Sequence, residues 1–572
     1  MKLKNNKIAL ALTVTFFSAV LFLLSACSDK NKNHDAEPPV VSFTESGEYT
    51  VKTGKTVQLS AIVENAVNPS YLWKLNGETL STNINCTFTG ETVGEYFPVF
   101  IVDANNGHVE KKVKVSVLPV VLPEISMPGA YAAYSEKEFK IKAKVKNADN
   151  ASYKWFFNEQ LISSADSCII FTSNTGYQTL ALEVSNSEGT VSKSFDVLII
   201  PKSELNPSMY FSDGRYRSPN RSETTVNLSV PLGKSLTLSP VLVNIDEQSI
   251  FSWYIDGAVQ NTTGRYLNFT PSQKGVHSVS ISTETTLGKI EAGITVKCVE
   301  PEGTYYRPKV AGNKAGASKA FEYIPAPGQF ANFDGYATVE DATVEIQNKL
   351  NENSTGWIAS LGAYGGYMIV GFDHSVDNVD GLSDLKISGN AFPDSNEPGT
   401  VWVMQDENGN GLPDDTWYEL KGSETGKPQT RQNYAVTYYK PRTENASVPW
   451  TDNCGHTGSV DRNMYHLQTR YFPSFITEKY TLCGTCIALT IIEGNIEKPV
   501  SYPWGYVDNY GDGSRPANEF WIEDAVQADG SPANLKYIDF VKVQTAINGK
   551  GMVLGELSTE TGIPFDMNYV LQ

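Results

Sequence analysis

Between residue 38 and about residue 300 the apolar and polar positions alternate with a period of two, the mark of strands buried on one face. Val57, Leu59, Ala61 and Val63 make one such stripe. Phe139, Ile141, Ala143 and Val145 make a second, with Lys140, Lys142, Lys144 and Lys146 in the alternate positions, and Leu236 and Leu238 begin a third. Fourteen or fifteen residues after each stripe starts comes an aromatic-x-Trp step: Tyr71-Leu72-Trp73, Tyr153-Lys154-Trp155 and Phe251-Ser252-Trp253. Asn76-Gly77 and Asp256-Gly257 follow two of these steps and predict tight hairpins. An internal repeat of this kind, with a tryptophan on a central strand, predicts three tandem immunoglobulin-type sandwiches at 39–118, 119–201 and 202–300. Cys86 and Cys168 each fall thirteen residues after the tryptophan, where the third copy has Tyr266. One cysteine per copy leaves no internal bridge, so both are expected as small buried hydrophobes.

The pattern changes at about residue 301. Apolar runs such as Tyr367-Met-Ile-Val-Gly-Phe372, Val401-Trp-Val-Met404, Tyr434-Ala-Val-Thr-Tyr-Tyr439, Ile487-Ala-Leu-Thr-Ile-Ile492 and Ile538-Asp-Phe-Val-Lys-Val543 alternate with long Gly, Asn, Asp and Pro-rich loops. One short helix is expected, around 338–351. The pattern Tyr-x-Trp-x-x-Asn-Gly at 71–77 resembles bacterial PKD-like domains, so the fold class is expected to be all-β: three Ig/PKD-like sandwiches followed by a larger jelly-roll-like sandwich head at 301–572, whose loops are where a ligand would bind.

At the other end, Lys2, Lys4 and Lys7 precede an apolar stretch over 8–24, which predicts a signal peptide at 1–26. Leu24-Ser25-Ala26-Cys27 resembles a bacterial lipobox, so Cys27 is expected to be acylated and to hold the chain at a bilayer through a polar tether at 27–38, without a spanning helix. With 40% hydrophobic and 11% aromatic residues in 572, several packed domains are expected. A formal net charge of -18 lacks the basic footprint of a nucleic-acid binder.

The sharpest chemical motif is Asp406-Glu-Asn-Gly-Asn-Gly-Leu-Pro-Asp-Asp415. Asp406, Asn408 and Asn410 stand at positions one, three and five of a calcium loop, Gly411 at the turn, the Leu412 carbonyl next, and Asp414 at position nine. Trp417 replaces the closing glutamate, which leaves Asp415 or Glu419 to complete the shell. The competing reading is a polar turn capping its own backbone. Cys454, His456, Cys483 and Cys486 have zinc-ligand residue types, yet a disulfide from Cys454, or a strand with packed thiols through Cys483-Gly-Thr-Cys486, accounts for them with less. Hydrolase elbows, His-Glu-x-x-His and phosphate-binding loops are missing from the sequence, so no catalytic residue is assigned and a binding protein is expected.

Phe321-Glu-Tyr-Ile-Pro-Ala-Pro-Gly-Gln-Phe330, Gly365-Gly-Tyr-Met-Ile-Val-Gly-Phe-Asp-His374, Gly389-Asn-Ala-Phe392, Asn396-Glu-Pro-Gly399, the run Asp415-Thr-Trp-Tyr-Glu-Leu-Lys-Gly422 and Trp504-Gly-Tyr-Val-Asp-Asn509 resemble the head of PKD-containing surface lipoproteins of Bacteroidota, in particular the BtuH-type proteins. That resemblance implies an outer-membrane, surface-exposed lipoprotein that binds vitamin B12 or another corrinoid beside a TonB-dependent transporter. A corrinoid is large, amide-rich and partly apolar, so its receptor should offer aromatic faces ringed by polar groups. Phe392, Asn396, Trp504, Tyr506, Asp508 and Tyr510 are the candidate contacts, with His456 as a candidate ligand to the corrin cobalt. A carbohydrate-binding lipoprotein of a glycan-uptake system and an adhesin are the alternatives.

Overall fold

The computed structural model describes residues 37–219, 227–332, 335–352, 356, 358–463, 465–466, 470–488, 491–492, 498–551 and 555–570. The expected signal peptide, Cys27 and most of the expected tether lie outside them. Among the described residues, no helix is long and apolar enough to cross a membrane. The chain divides into two compact units, 1–121 and 122–572.

The first unit is one sandwich. Its strands lie within 40–118 and form sheets around Trp73, which is fully buried with Leu59, Cys86, Phe88, Phe100 and Val115. The second unit opens with two more sandwiches, centred on Trp155 and Trp253, both fully buried. Each indole is held by its one polar atom: Nε1–H donates to the carbonyl of Ile84, Ala165 or Gly264 at 3.2, 3.1 and 2.9 Å respectively. A buried indole needs that acceptor, and the loop running over it supplies one each time.

The stripes fall where the alternation places them. Leu59 faces Cys86 across one strand pair and Ile141 faces Cys168 across another, and both cysteines are buried and unbridged. In the third copy the pairing slips by one residue. Leu238 faces Leu267, so Leu267 fills the inner place and Tyr266 turns half outward. Asn76-Gly77 and Asp256-Gly257 both take left-handed conformations in two-residue hairpin turns, and the second copy makes the same turn with Asn158-Glu159.

The head is built on a six-stranded antiparallel sheet. Its strands in chain order are β1 (Lys319–Ile324), β2 (Tyr367–Asp377), β3 (Gly399–Met404), β4 (Tyr418–Leu420), and further on β9 (Ala525–Val526) and β10 (Tyr537–Thr545). They lie side by side as β1-β2-β10-β3-β4-β9. A four-stranded antiparallel sheet is made of β5 (Arg431–Tyr439), β6 (Val448–Asp452), β7 (Thr457–Val460) and β8 (Lys479–Cys486), in the order β7-β6-β5-β8. Tyr364, Tyr367, Ile369, Val436, Tyr438, Tyr480 and Leu482 fill the space between the sheets.

The other face of the six-stranded sheet packs Met368, Val370, Val401, Val541 and Val543 against Ile346 and Leu350 of helix α1 (Val339–Asn351). Thr338 caps α1: its hydroxyl accepts from the Asp341 N–H while Asp341 accepts from the Thr338 N–H. The expected sandwich thus has a third layer, and every residue of β10 is buried. The strand expected over 487–492 lies partly outside the described residues, at Leu489 and Thr490. The long strand is β8, ending at Cys486, with a two-residue strand at Ile491–Ile492.

Within the second unit the two sandwiches are docked on the head. Tyr177 Oη donates to the Lys440 carbonyl at 2.6 Å and Gly129 N–H to Asp461 at 2.8 Å. From the third sandwich, the segment 211–217 crosses the head. Arg215 pairs with Glu322 at 3.0 Å, and Arg217 exchanges backbone hydrogen bonds with Thr481.

Candidate functional site

Two loops chosen from the sequence for their aromatics meet in space. Gly399 and Val507 exchange backbone hydrogen bonds of 3.0 and 2.9 Å, and the Glu397 N–H donates to the Asp508 carbonyl at 3.0 Å. Side chains tighten the junction. Asn396 Oδ1 accepts from the Tyr510 N–H at 2.7 Å, and Asp508 Oδ1 accepts from the Asn390 N–H at 2.7 Å. Asp508 itself sits at φ 55, a left-handed conformation that these bonds hold in place. Phe392 and Tyr510 are left 56% and 53% exposed on the outside. Trp504, half-buried, carries the Arg515 guanidinium over its ring at 4.0 Å.

The roles within the predicted set therefore separate. Asn396 and Asp508 are buried clamps of the loops, Phe392, Trp504 and Tyr510 present surface, and Tyr506 points inward, its hydroxyl accepting from the Glu424 N–H at 3.1 Å. His456 is not brought to them. It sits on the β6–β7 hairpin of the other sheet, bonded to Asp452 at 2.8 Å.

Beneath the loops lies a group the sequence did not single out. One carboxylate oxygen from each of Glu397, Asp508 and Glu560 lies within 4.8 Å of the others. Ser558 N–H donates to Glu397, Ser360 Oγ to Glu560 and Glu560 N–H to Asp508, at 2.9, 2.9 and 3.0 Å. Burial, reinforced by the neighbouring carboxylates, pushes Glu397 and Asp508 well above the usual range, and burial raises Glu560 as well.

A cavity of about 140 Å³ lies between the third sandwich and the head. Trp402 and Trp417 line it together with Lys542, Glu419, Thr485 and Thr237, whose buried hydroxyl finds no partner among the described residues. The Lys542 ammonium, fully buried on β10, donates to the Gly214 carbonyl at 3.0 Å and lies 4.7 Å from the Trp402 ring centre and 5.7 Å from those of Trp417 and Tyr367. Desolvation lowers it to about 8, and burial raises Glu419 to about 7. Gly214, at φ +76, is required here, because a Cβ would stand 3.0 Å from Lys542 Nζ and 3.2 Å from Trp417.

The calcium-type loop folds on itself. Asp406 Oδ1 accepts from the N–H groups of Gly409 and Asn410 and Oδ2 from Gly411, at 2.8, 3.1 and 2.9 Å. The Asn408 and Asn410 amides donate to Asp414, Asn408 also donates to Asp415, and the Leu412 carbonyl accepts from the Asp414 N–H at 3.0 Å. The donor set is all oxygen, which suits a hard cation. To admit one, the amide contacts to Asp414 must open. Next to the loop, Glu407 is buried against the third sandwich and accepts from Ser229 Oγ at 2.6 Å, while Thr416 exchanges hydrogen bonds with the Ser229 backbone.

The cysteines of the head are unbridged. Cys483 and Cys486 stand three apart on β8, so alternation sends them to opposite faces. Cys483 lines the cavity beside Lys542, and Cys486 packs with the Tyr364 and Tyr434 cluster. The two do not form a ligand pair.

Residues 38–104 match the PKD-like domain family. The chain is also similar to a three-domain I-band fragment of titin (10% identity, 46% of this chain and 98% of that one, TM-score 0.22). It is similar to the three N-terminal domains of the bacteriophage RB49 highly immunogenic outer capsid protein (17%, 46% and 100%, TM-score 0.22) and to the fibronectin(III)-like modules of Clostridium thermocellum CbhA (15%, 28% and 95%, TM-score 0.18). No curated protein matches. The fold is nearly all-β, a series of sandwiches whose first domain is PKD-like.

Proposed function

We propose that this chain is a surface lipoprotein that captures a corrinoid on its head and passes it to an outer-membrane, TonB-dependent transporter, tethered meanwhile through acylated Cys27. The reading is one of binding rather than catalysis, and nucleic acid is not among its partners. The observation that supports it is the meeting of the 392–396 and 504–510 loops, which leaves Phe392 and Tyr510 more than half exposed on a rim clamped by Asn396 and Asp508. A corrin ring with its amide fringe needs an open, pre-organised aromatic face of this type. His456 is on a different sheet, so the aromatic rim carries the proposal and cobalt ligation does not. A structural calcium in the 406–415 loop would brace the head against the third sandwich through the neighbouring Glu407 and Thr416.

The test is calorimetric titration of the full mature chain with cyanocobalamin. Saturation below micromolar concentration is expected, weakened about 30-fold or more in the Phe392→Ala/Tyr510→Ala double variant, since two central aromatic contacts together carry at least about 2 kcal/mol. Absence of heat at high micromolar cyanocobalamin overturns the corrinoid reading. One observation favours a second reading, carbohydrate binding: the cavity places the Trp402 and Trp417 faces beside Glu419. In that case Trp417→Ala abolishes oligosaccharide binding and the Phe392/Tyr510 variant leaves it intact.

A further inference from the structure

The hairpin joining β6 to β7 reads Asp452-Asn-Cys-Gly-His456 and brings three potential ligands together: an Asp452 carboxylate oxygen, the Cys454 sulphur and a ring nitrogen of His456 lie within 4.8 Å of one another. Cys454 and His456 are exposed, while Asp452 is buried. We infer that this hairpin is a binding site for a borderline divalent cation of the zinc class, with Cys454 and His456 as ligands and Asp452 as the carboxylate that orients them.

The hairpin is fixed in advance. Asp452 Oδ1 accepts from the backbone N–H groups of Cys454 and His456 at 2.9 and 2.8 Å, and Oδ2 accepts from Tyr434 Oη and from His456 Nδ1 at 2.9 and 2.8 Å. A carboxylate on one imidazole nitrogen sets the tautomer that leaves the other nitrogen's lone pair for a metal, the arrangement most metal-binding histidines share. Asn453 nails the centre of the turn. Its amide donates to the carbonyls of Leu242 and Asn433 at 2.8 and 3.1 Å, and its Oδ1 accepts from the Ala435 N–H at 3.0 Å. Position 455 favours glycine, at φ +83 with Asn244 and Leu205 3.1 and 3.2 Å from where a Cβ would stand. The turn therefore throws Cys454 and His456 to the same side.

There is also room for what completes a tetrahedral shell. A cleft of about 240 Å³ opens at Cys454, lined by Asn244, Glu247 and Asn453, so water and an incoming carboxylate can take the two remaining positions. Thiolate and imidazole together select a zinc-class cation over the hard cations suited to the 406–415 loop, which makes the two sites separable. The inference does not depend on the corrinoid reading.

The experiment is Co²⁺ titration of the full mature chain followed by optical absorption, with competition by Zn²⁺. Tetrahedral cobalt with one thiolate gives a sulphur-to-metal band in the near ultraviolet and visible d–d bands, saturating at one equivalent and erased by Zn²⁺. Both sets of bands are expected in the wild type and in Cys483→Ser and Cys486→Ser. They should be lost in Cys454→Ser, and Asp452→Asn should weaken binding about 10- to 100-fold, as loss of an orienting partner does. Glu78→Ala, at an exposed position of the first sandwich, serves as a folded control and should leave the bands unchanged. Three outcomes overturn the inference: no sulphur-to-metal band in the wild type, a band that survives Cys454→Ser, or a thiol count without reductant showing Cys454 consumed in a disulfide.

Discussion

Glu556 provides a direct test of how the head's buried carboxyls set its response to pH. It is 3% exposed, its Oε1 accepts the Gln329 N–H at 2.5 Å, and its Oε2 has no partner among the described residues. Burial raises it from an ordinary 4.5 to about 8, with a smaller push from Glu560, and the hydrogen bond from Gln329 does not offset this. Below pH 4.5 folded and unfolded chains both hold the proton. Between pH 4.5 and 8 the unfolded chain releases it and the folded one keeps it, so stability present at low pH drains away as pH rises. Each decade is worth about 1.4 kcal/mol, so the loss across that window is on the order of 4 kcal/mol. Glu556→Gln removes the titration while keeping an oxygen for Gln329. Its new amide donor replaces an oxygen without a partner among the described residues, at a pH-independent cost of about 1 kcal/mol. The variant should therefore melt slightly below wild type at pH 5 and above it at pH 8. For a domain of this size the difference in Tm should swing by about 6 °C in scanning calorimetry of the full chain. A difference that stays flat from pH 5 to pH 8 refutes the argument, because it would mean Glu556 ionises in the folded head as it does in water.

Other expectations follow from single sites. Trp253→Ala should cost the third sandwich about 3–5 kcal/mol in urea unfolding, because it empties a fully buried position and strands the Gly264 carbonyl. Glu159→Gly should stabilise the second sandwich by up to about 1 kcal/mol in the same assay, since Glu159 holds φ 67 in a turn where its two counterparts have glycine. For the 406–415 loop, a chelator should lower the Tm of the head and Ca²⁺ restore it. Asp406→Ala should abolish that response, since Asp406 organises the turn through three backbone N–H groups.

The sequence revealed whatever is local and periodic. The stripes at Val57–Val63 and Phe139–Val145 show their burial because a strand alternates faces, and Trp73, Trp155 and Trp253 mark the cores because each copy repeats the same step. Where a rule of one residue decides, the sequence misled. A single-residue slip moves the inner place from Tyr266 to Leu267, and Asn158-Glu159 makes a hairpin turn that its composition does not advertise. β10 is the harder case. Buried on both faces, it carries Lys542 and Gln544 at inner positions, and no periodicity distinguishes an inward lysine held by aromatic rings from an outward one in water. The candidate site divides along the same line. Phe392, Asn396 and the 504–510 segment stand out by composition. Glu397 and Glu560 do not, because only pairing between distant strands places them against Asp508. The cysteines reverse the lesson: Cys483 and Cys486 have zinc-ligand residue types, yet they lie on one strand with their thiols packed on opposite faces. Cys454 gains Asp452 and His456 instead, through a turn in which Gly455 takes the left-handed conformation. Spacing in sequence is thus a guide to chemistry only once the backbone that spaces it is known.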